Sequence, residues 1–280
     1  MSHAILGLLA ETFIHPGSGQ NEGVVDLPVA REATTHYPFI AGSSLKGALL
    51  DKDRVENAAE DSEANRKLVF GEQNQAGQLL VGDARILLLP TRSLSGVYRW
   101  ATCPLVLERV QRDFRRTGIA GVPPSLPKVE AGAYLGAGTV GEKIFLEERE
   151  LRCQGPLEGG WIELLGKLIA HDDTRQRLTK QVVVMDDEAF SWFARYGLPV
   201  QARNVLDSET KESKNLWYEE TLPPDTVMYS VMAQRRANDD ALGKVLQLVA
   251  RRPYLQTGGN ETVGQGWFAV QPLRSTNDGK

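Results

Sequence analysis

The apolar residues of this chain come in short runs. The longest uninterrupted ones, such as Ile86-Leu87-Leu88-Leu89, stop after four residues, far below the ~20 that a membrane-crossing helix needs. Runs of that length, separated by turn formers, predict buried strands and short helices around a core rather than a coiled coil or a bilayer span. The 27 Gly and 14 Pro fit many loops. At roughly 150 residues per domain, 280 residues allow one elaborated domain or two small ones.

The first strand is expected over 4–13, followed by a flexible loop marked by Gly17, Gly19 and Gly23. Leu45, Leu49 and Leu50 give 42–50 a helical apolar face that Ser43 or Ser44 can cap. The charged stretch 51–67 reads as a solvated helix extension or loop. A strand over 78–89 is expected to stop at Pro90. A helix follows Thr102-Cys103-Pro104, with proline in its first turn. A long irregular connection, 118–142, leads to a strand at 143–151 and a helix at 160–170. Val182–Met185 reads as a short buried strand, and Asp186 or Asp187 caps a helix that ends at Gly197. Residues 198–232 read as an extended hairpin with a polar tip at 207–215. An amphipathic helix around Leu242–Val249 and a closing strand–turn–strand complete the chain. Helices and strands alternate without a βαβα beat, which predicts an α+β fold with antiparallel strands and helices on one face.

The formal net charge is −4, so any nucleic-acid binding must come from local patches. Cys103 and Cys153 form no metal-ligand pattern and read as reduced thiols. Met1-Ser2-His3-Ala4-Ile5-Leu6 has no basic lead, which argues against a signal peptide and for a cytoplasmic protein without membrane contact.

Three stretches carry chemistry. The first runs from Phe13-Ile14-His15-Pro16-Gly17 to Gly23-Val24-Val25-Asp26-Leu27-Pro28. The second is Gly42-Ser43-Ser44-Leu45-Lys46-Gly47, a helix start whose N–H groups, hydroxyls and lysine suit a phosphate. The third holds four glycines within Gly258–Gly266, a backbone that can approach a ligand closely. Read one by one, the helix start is better explained as an ordinary capped helix, and a hairpin turn explains the glycine stretch equally well.

Taken together and in order, these stretches resemble the RAMP superfamily of CRISPR proteins. Within it they are similar to the repeated backbone subunit of the type III-B effector, the Cmr complex. The resemblance continues through Val69-Phe70-Gly71, Gly82-Asp83-Ala84-Arg85, Arg92-Ser93, Thr102-Cys103-Pro104-Leu105, Leu146-Glu147-Glu148 and Leu216-Trp217-Tyr218-Glu219-Glu220-Thr221-Leu222-Pro223-Pro224. It implies a single RAMP domain over 1–280: a modified ferredoxin-like (RRM-like) palm with a protruding β-hairpin thumb at 198–232. Copies would stack along a guide RNA (crRNA) beside the other Cmr subunits and cut complementary target RNA at regular intervals, leaving 2′,3′-cyclic phosphate ends.

Asp26 matches the family's key catalytic residue and His15 its loop histidine; the acidic thumb residue is Glu219 or Glu220, the alignment leaning to Glu220. Asp26 reads first as a ligand of Mg²⁺ or Mn²⁺ bound together with RNA, and second as a general base. Ser43, Ser44, Lys46, Arg92, Arg203, Gly258, Gly259 and Gln265 are the candidate RNA contacts. Alternatives are a silent RNA-binding scaffold and a nuclease that matures precursor guide RNA.

Overall fold

The computed structural model describes residues 2–19, 25–57, 62–236 and 239–275. Gly23 and Val24 of the Asp26 motif lie outside them.

The core strand is β1 (His3–Ala10), buried along nearly all its length. A short β2 (Phe39–Ile40) precedes α1 (Gly42–Glu56) and α2 (Ser62–Phe70), then the small hairpin β3 (Gly71–Glu72) and β4 (Gln75–Ala76). Next come β5 (Leu79–Val81), β6 (Ala84–Arg92), β7 (Tyr98–Thr102) and α3 (Pro104–Thr117). The middle of the chain supplies β8 (Ala133–Gly136), β9 (Lys143–Leu146), β10 (Arg149–Gly155), α4 (Gly159–Gly166), α5 (Asp172–Gln181), β11 (Val182–Met185) and α6 (Asp187–Tyr196). The last part holds β12 (Val200–Leu206), β13 (Ser213–Glu220), β14 (Val227–Gln234), α7 (Ala241–Arg251), β15 (Tyr254–Gln256) and β16 (Trp267–Arg274). Among the described residues, no helix is long and apolar enough to cross a membrane.

One large mixed sheet runs β15-β16-β1-β14-β6-β7-β11-β8-β10-β9, with β2 paired to β6 and β5 to β14. Most pairs are antiparallel, as expected of an α+β chain, but β7–β11 and β8–β10 are parallel. The β7–β11 connection carries whole helices, the long crossover that parallel pairing demands. Strands β12 and β13 form a separate two-stranded ribbon, register Val200↔Glu220 to Leu206↔Ser213. Its Val205, Leu206, Leu216 and Tyr218 are exposed.

Several local expectations change on folding. Neither Ser43 nor Ser44 caps α1: the N-cap position is Ala41, which makes no side-chain cap. Instead the Gly42 amide donates to Asp83 Oδ1 at 2.8 Å, a cap delivered from the turn before β6. The strand does not stop at Pro90. By that residue β6 has left β14 and pairs with β7 alone, Pro90 opposite Trp100, the one-sided setting in which a strand tolerates proline. Stretch 143–151 is a hairpin rather than one strand, and the long connection after α3 contains β8. Helix α5 has no apolar periodicity to announce it; only Thr174 and Leu178 are buried. Within 51–67, residues 51–56 end α1 and residues 62–67 begin α2, the two tied by Arg66 to Asp53 at 2.9 Å; residues 58–61 lie outside the described residues. Other signals hold: Pro104 opens α3, Gly118 closes it in the left-handed region (φ 70°), and Asp186 accepts from the Glu188 and Ala189 amides to cap α6.

The centre of β1 has no room for a side chain. A Cβ on Gly7 would overlap the Leu168 carbonyl after α4. We therefore expect Gly7→Ala to destabilise the chain by about 3 kcal/mol, since backbone must shift to admit the methyl. Gly47→Ala meets nothing within 4 Å inside α1 and should stabilise by about 0.5–1 kcal/mol. Urea midpoints of the two variants should move in opposite directions.

Candidate functional site

The site is built where β1 and β16 leave the sheet side by side. Beyond the last pair, Ala10↔Phe268, the two chains stay joined: Glu11 donates to the Trp267 carbonyl, the Gly266 amide to Phe13, and the Gly259 amide to His15, each at 2.9 Å. On the other side Ile14 bridges Leu222. His15 is thus held between the glycine-rich loop and the end of β13, and is only 7% exposed. Its Nδ1 lies 2.8 Å from the Glu220 carbonyl oxygen. A carbonyl only accepts, so Nδ1 carries the hydrogen, which leaves Nε2 as the acceptor in the neutral ring.

The Asp26 loop lies along β13 like a third strand. Leu27 donates to the Tyr218 carbonyl at 3.1 Å, and the Glu220 amide donates to the Leu27 carbonyl at 3.0 Å. Asp26 Oδ2 accepts from the Tyr218 amide at 2.7 Å; among the described residues no group donates to Oδ1. The loop therefore fixes one oxygen of this half-buried carboxylate and presents the other.

Glu219 and Glu220 alternate across the ribbon, as strand neighbours must. Glu220 Oε1 is 2.6 Å from Arg31 and its Oε2 accepts from the Val29 amide at 3.0 Å, so both oxygens are engaged away from His15. Glu219 points to the other side and is 1% exposed. There it accepts from the Asn260 side-chain amide and lies 3.6 Å from His15 Nδ1 and 3.3 Å from Arg203 Nε. The Nε and Nη2 atoms of Arg203 are buried and make no hydrogen bond.

Gly258, Gly259 and Gln265 surround the same cluster. Gly258 sits at φ 104°, and a Cβ there would come within 2.9 Å of the His15 carbonyl oxygen; one on Gly259 would lie 3.0 Å from the His15 ring. Glycine is required because the loop packs on the chain's own backbone. Gln265 is 8% exposed and accepts from Asn260 at 3.1 Å.

A cleft of about 440 Å³ opens between His15–Gly17, the α1 flank bearing Ser44 and Gly47, and Thr257–Gly259. Ser43 and Lys46 project from the other flank of α1, into a second recess of about 680 Å³ with Arg85 and Arg116. The structure thus splits the helix-start motif between two clefts. Lys46 Nζ donates to the Leu79 carbonyl at 3.2 Å. Burial, then the positive charge of Arg235, hold its amine below the ordinary lysine range. Arg92 stands apart, paired with Glu147 at 2.7 Å at the far end of β6. Sequence reading missed Asn260 and Arg31; only the position of Asn260 among the glycines hinted at a role.

Among the described residues, no group of three His, Cys, Asp or Glu side chains could hold a metal ion. Asp26 alone offers one free carboxylate oxygen, whereas Mg²⁺ takes six oxygens.

Comparison with known proteins gives the chain its family. The chain matches the RAMP superfamily model over residues 8–269. It is 34% identical over 293 aligned residues to the CRISPR system Cmr endoribonuclease Cmr4 of Pyrococcus furiosus, covering 100% of this chain and 98% of that protein. The crystal structure of oligomeric Cmr4 from the same organism superposes with a TM-score of 0.78 at 29% identity, over 99% of this chain and 100% of that one. A chain of the type III-B Cmr-beta complex bound to cognate target RNA shares the fold, with a TM-score of 0.75 at 21% identity and 96% of each chain covered. From β1 to β16, by sequence and by fold, the chain belongs to the RAMP superfamily and stands beside the Cmr4 proteins.

Proposed function

We propose that this chain is a backbone subunit of a type III-B effector in the cytoplasm. It binds guide RNA as a helical filament of copies, together with other Cmr subunits, and cuts complementary target RNA at regular intervals. The observation that carries this reading is Asp26: one oxygen locked on the Tyr218 amide and the other free, on a ribbon whose Glu220 carbonyl, two residues further along, holds His15. The chain is then a single domain over 1–280. Its large sheet is the ferredoxin-like palm, and the thumb is the β12–β13 ribbon, shorter than the hairpin expected over 198–232, because residues 227–232 are β14 of the large sheet.

The α1 start and the glycine-rich loop flank the cleft that takes the guide. Lys46 and Ser43, on the outer flank, grip phosphates from the second recess. Base pairing selects the target while the protein holds backbone and shape. The thumb displaces a target nucleotide so that its 2′-oxygen lines up with the adjacent phosphorus. Alignment of that kind supplies much of the rate. The 2′-oxygen attacks, the P–O5′ bond breaks, and the products are a 2′,3′-cyclic phosphate and a 5′-hydroxyl. Asp26 orients the attacking group through its free oxygen, and His15 Nε2, the acceptor nitrogen of the ring, exchanges a proton with the reacting oxygens. The protein alone does not complete a Mg²⁺ or Mn²⁺ site: phosphate oxygens and water would have to supply the remaining positions beside Asp26. Glu220, bound to Arg31 and Val29, holds the Asp26 loop on the ribbon.

Asp26→Asn in reconstituted complex should keep guide loading and lower cleavage of end-labelled target by roughly two orders of magnitude or more. Rescue by added Mn²⁺ would assign Asp26 to metal binding, and rescue by raised pH would assign it to base catalysis. Full-rate cutting by the variant would remove Asp26 from the mechanism.

Lys46→Ala should weaken guide binding and lower its salt slope by about one phosphate contact per subunit. Phosphate favours the charged amine, so parent affinity should fall with rising pH before an ordinary lysine discharges, and Lys46→Arg should not show that fall. Equal pH profiles would argue against a phosphate on Lys46. Deleting 207–215 should disturb subunit spacing on RNA, seen as uneven cut intervals, while leaving the palm folded by circular dichroism.

A further inference from the structure

Glu219 is a buried carboxylate with unusual support. Its Oε2 lies 3.3 Å from Arg203 Nε, but that nitrogen makes no hydrogen bond. His15 Nδ1 is 3.6 Å from Oε1, yet its hydrogen is committed to the Glu220 carbonyl. Among the described residues, the one directed hydrogen bond to this carboxylate comes from the Asn260 side-chain amide. A buried charge without directed partners is costly, so Asn260 decides where Glu219 sits.

The position of Glu219 matters beyond itself. Its neighbours on β13, Tyr218 and Glu220, carry the backbone groups that hold Asp26 and Leu27. Asn260 in turn belongs to the glycine-rich loop, and the adjacent Gly259 amide holds the His15 carbonyl at 2.9 Å. The backbone of Asn260 is left-handed (φ 62°), and its side-chain amide also donates to Gln265 Oε1 at 3.1 Å. One rigid turn therefore fixes both His15 and the ribbon that presents Asp26.

We propose that Asn260 is a positioning residue for target cleavage: through Glu219 it sets the placement of β13, and with it Asp26, relative to the glycine-rich loop. This rests on the reading that Asp26 acts on target RNA bound opposite a guide.

Two variants test it without backbone strain. Asn260→Gly keeps the left-handed turn and removes only the side-chain donor. In reconstituted complex it should cut target at least tenfold more slowly at saturating RNA, with guide affinity within twofold of the parent. In the free chain, the Tyr218 and Leu27 amides should exchange hydrogen faster, while Val231 in the main sheet stays unchanged. Asn260→Asp places a second carboxylate against Glu219, and two carboxylates at that range share a proton. The other charges facing the pair are His15 and Arg203; Glu220 is turned to Arg31. The shared proton is lost as pH rises, so the ratio of variant to parent cleavage should fall with increasing pH.

A flat ratio, or unchanged exchange at Tyr218 and Leu27 in Asn260→Gly, overturns the proposal. So does a loss of guide affinity equal to the loss of cleavage, which would make Asn260 a guide contact. A parent complex that cuts no RNA refutes the nuclease reading, and the exchange result still decides whether Asn260 clamps the ribbon.

Discussion

Pairing of β1 with β16 is the constraint on which the site depends. It brings a loop from the start of the chain, bearing His15, against a loop near its end, bearing Gly258–Gln265. The ladder continues past the sheet as single hydrogen bonds from Glu11 to His15, so the two loops are fixed relative to each other by backbone geometry rather than by side-chain choice. Both faces of β1 are buried, so Gly7 pins its register between β14 and β16: a one-residue shift would bring a side chain against the Leu168 carbonyl.

The polar groups around this junction are satisfied unequally. Glu220 is saturated: an amide on one oxygen, a guanidinium on the other, and Arg31 itself also donates to the His36 and Ala194 carbonyls. Such a network rigidifies. Glu219, one residue earlier, has a charge nearby in Arg203 but little direction to it. One side of the ribbon is thus held by a full network, and the other, among the described residues, by a single directed hydrogen bond from Asn260.

What could be read from the sequence was local. Pro104, Gly118, Asp186 and Gly197 mark helix ends because capping involves residues a few positions apart. The apolar runs of β1, β6 and β11 announce themselves by composition. The motif order points to Asp26, His15 and the glycine-rich loop. Features made by distant segments stayed hidden: the Asp83 cap on α1, the one-sided partner that lets β6 continue through Pro90, the charged helix α5, and the parallel pairs. Period two puts Glu219 and Glu220 on opposite faces, but which face looks toward His15 depends on Asn260 and Arg31, far away in the chain. The split of Ser43 and Lys46 from Ser44 follows from helical geometry, yet only the packed fold shows a separate recess on each flank.

The antiparallel run of β1 against β16 also decides where the chain's outer segments leave the fold. Ala4 faces Arg274 at one end of the pair, and Ala10 faces Phe268 at the other. At ~3.3 Å per residue, residues 4 and 274 therefore sit together roughly 20 Å of strand away from the Ala10–Phe268 pair, beyond which the His15 junction begins. A pair of fluorophores at residues 4 and 274 would therefore lie together at one corner of the sheet and report on it from outside the cleft.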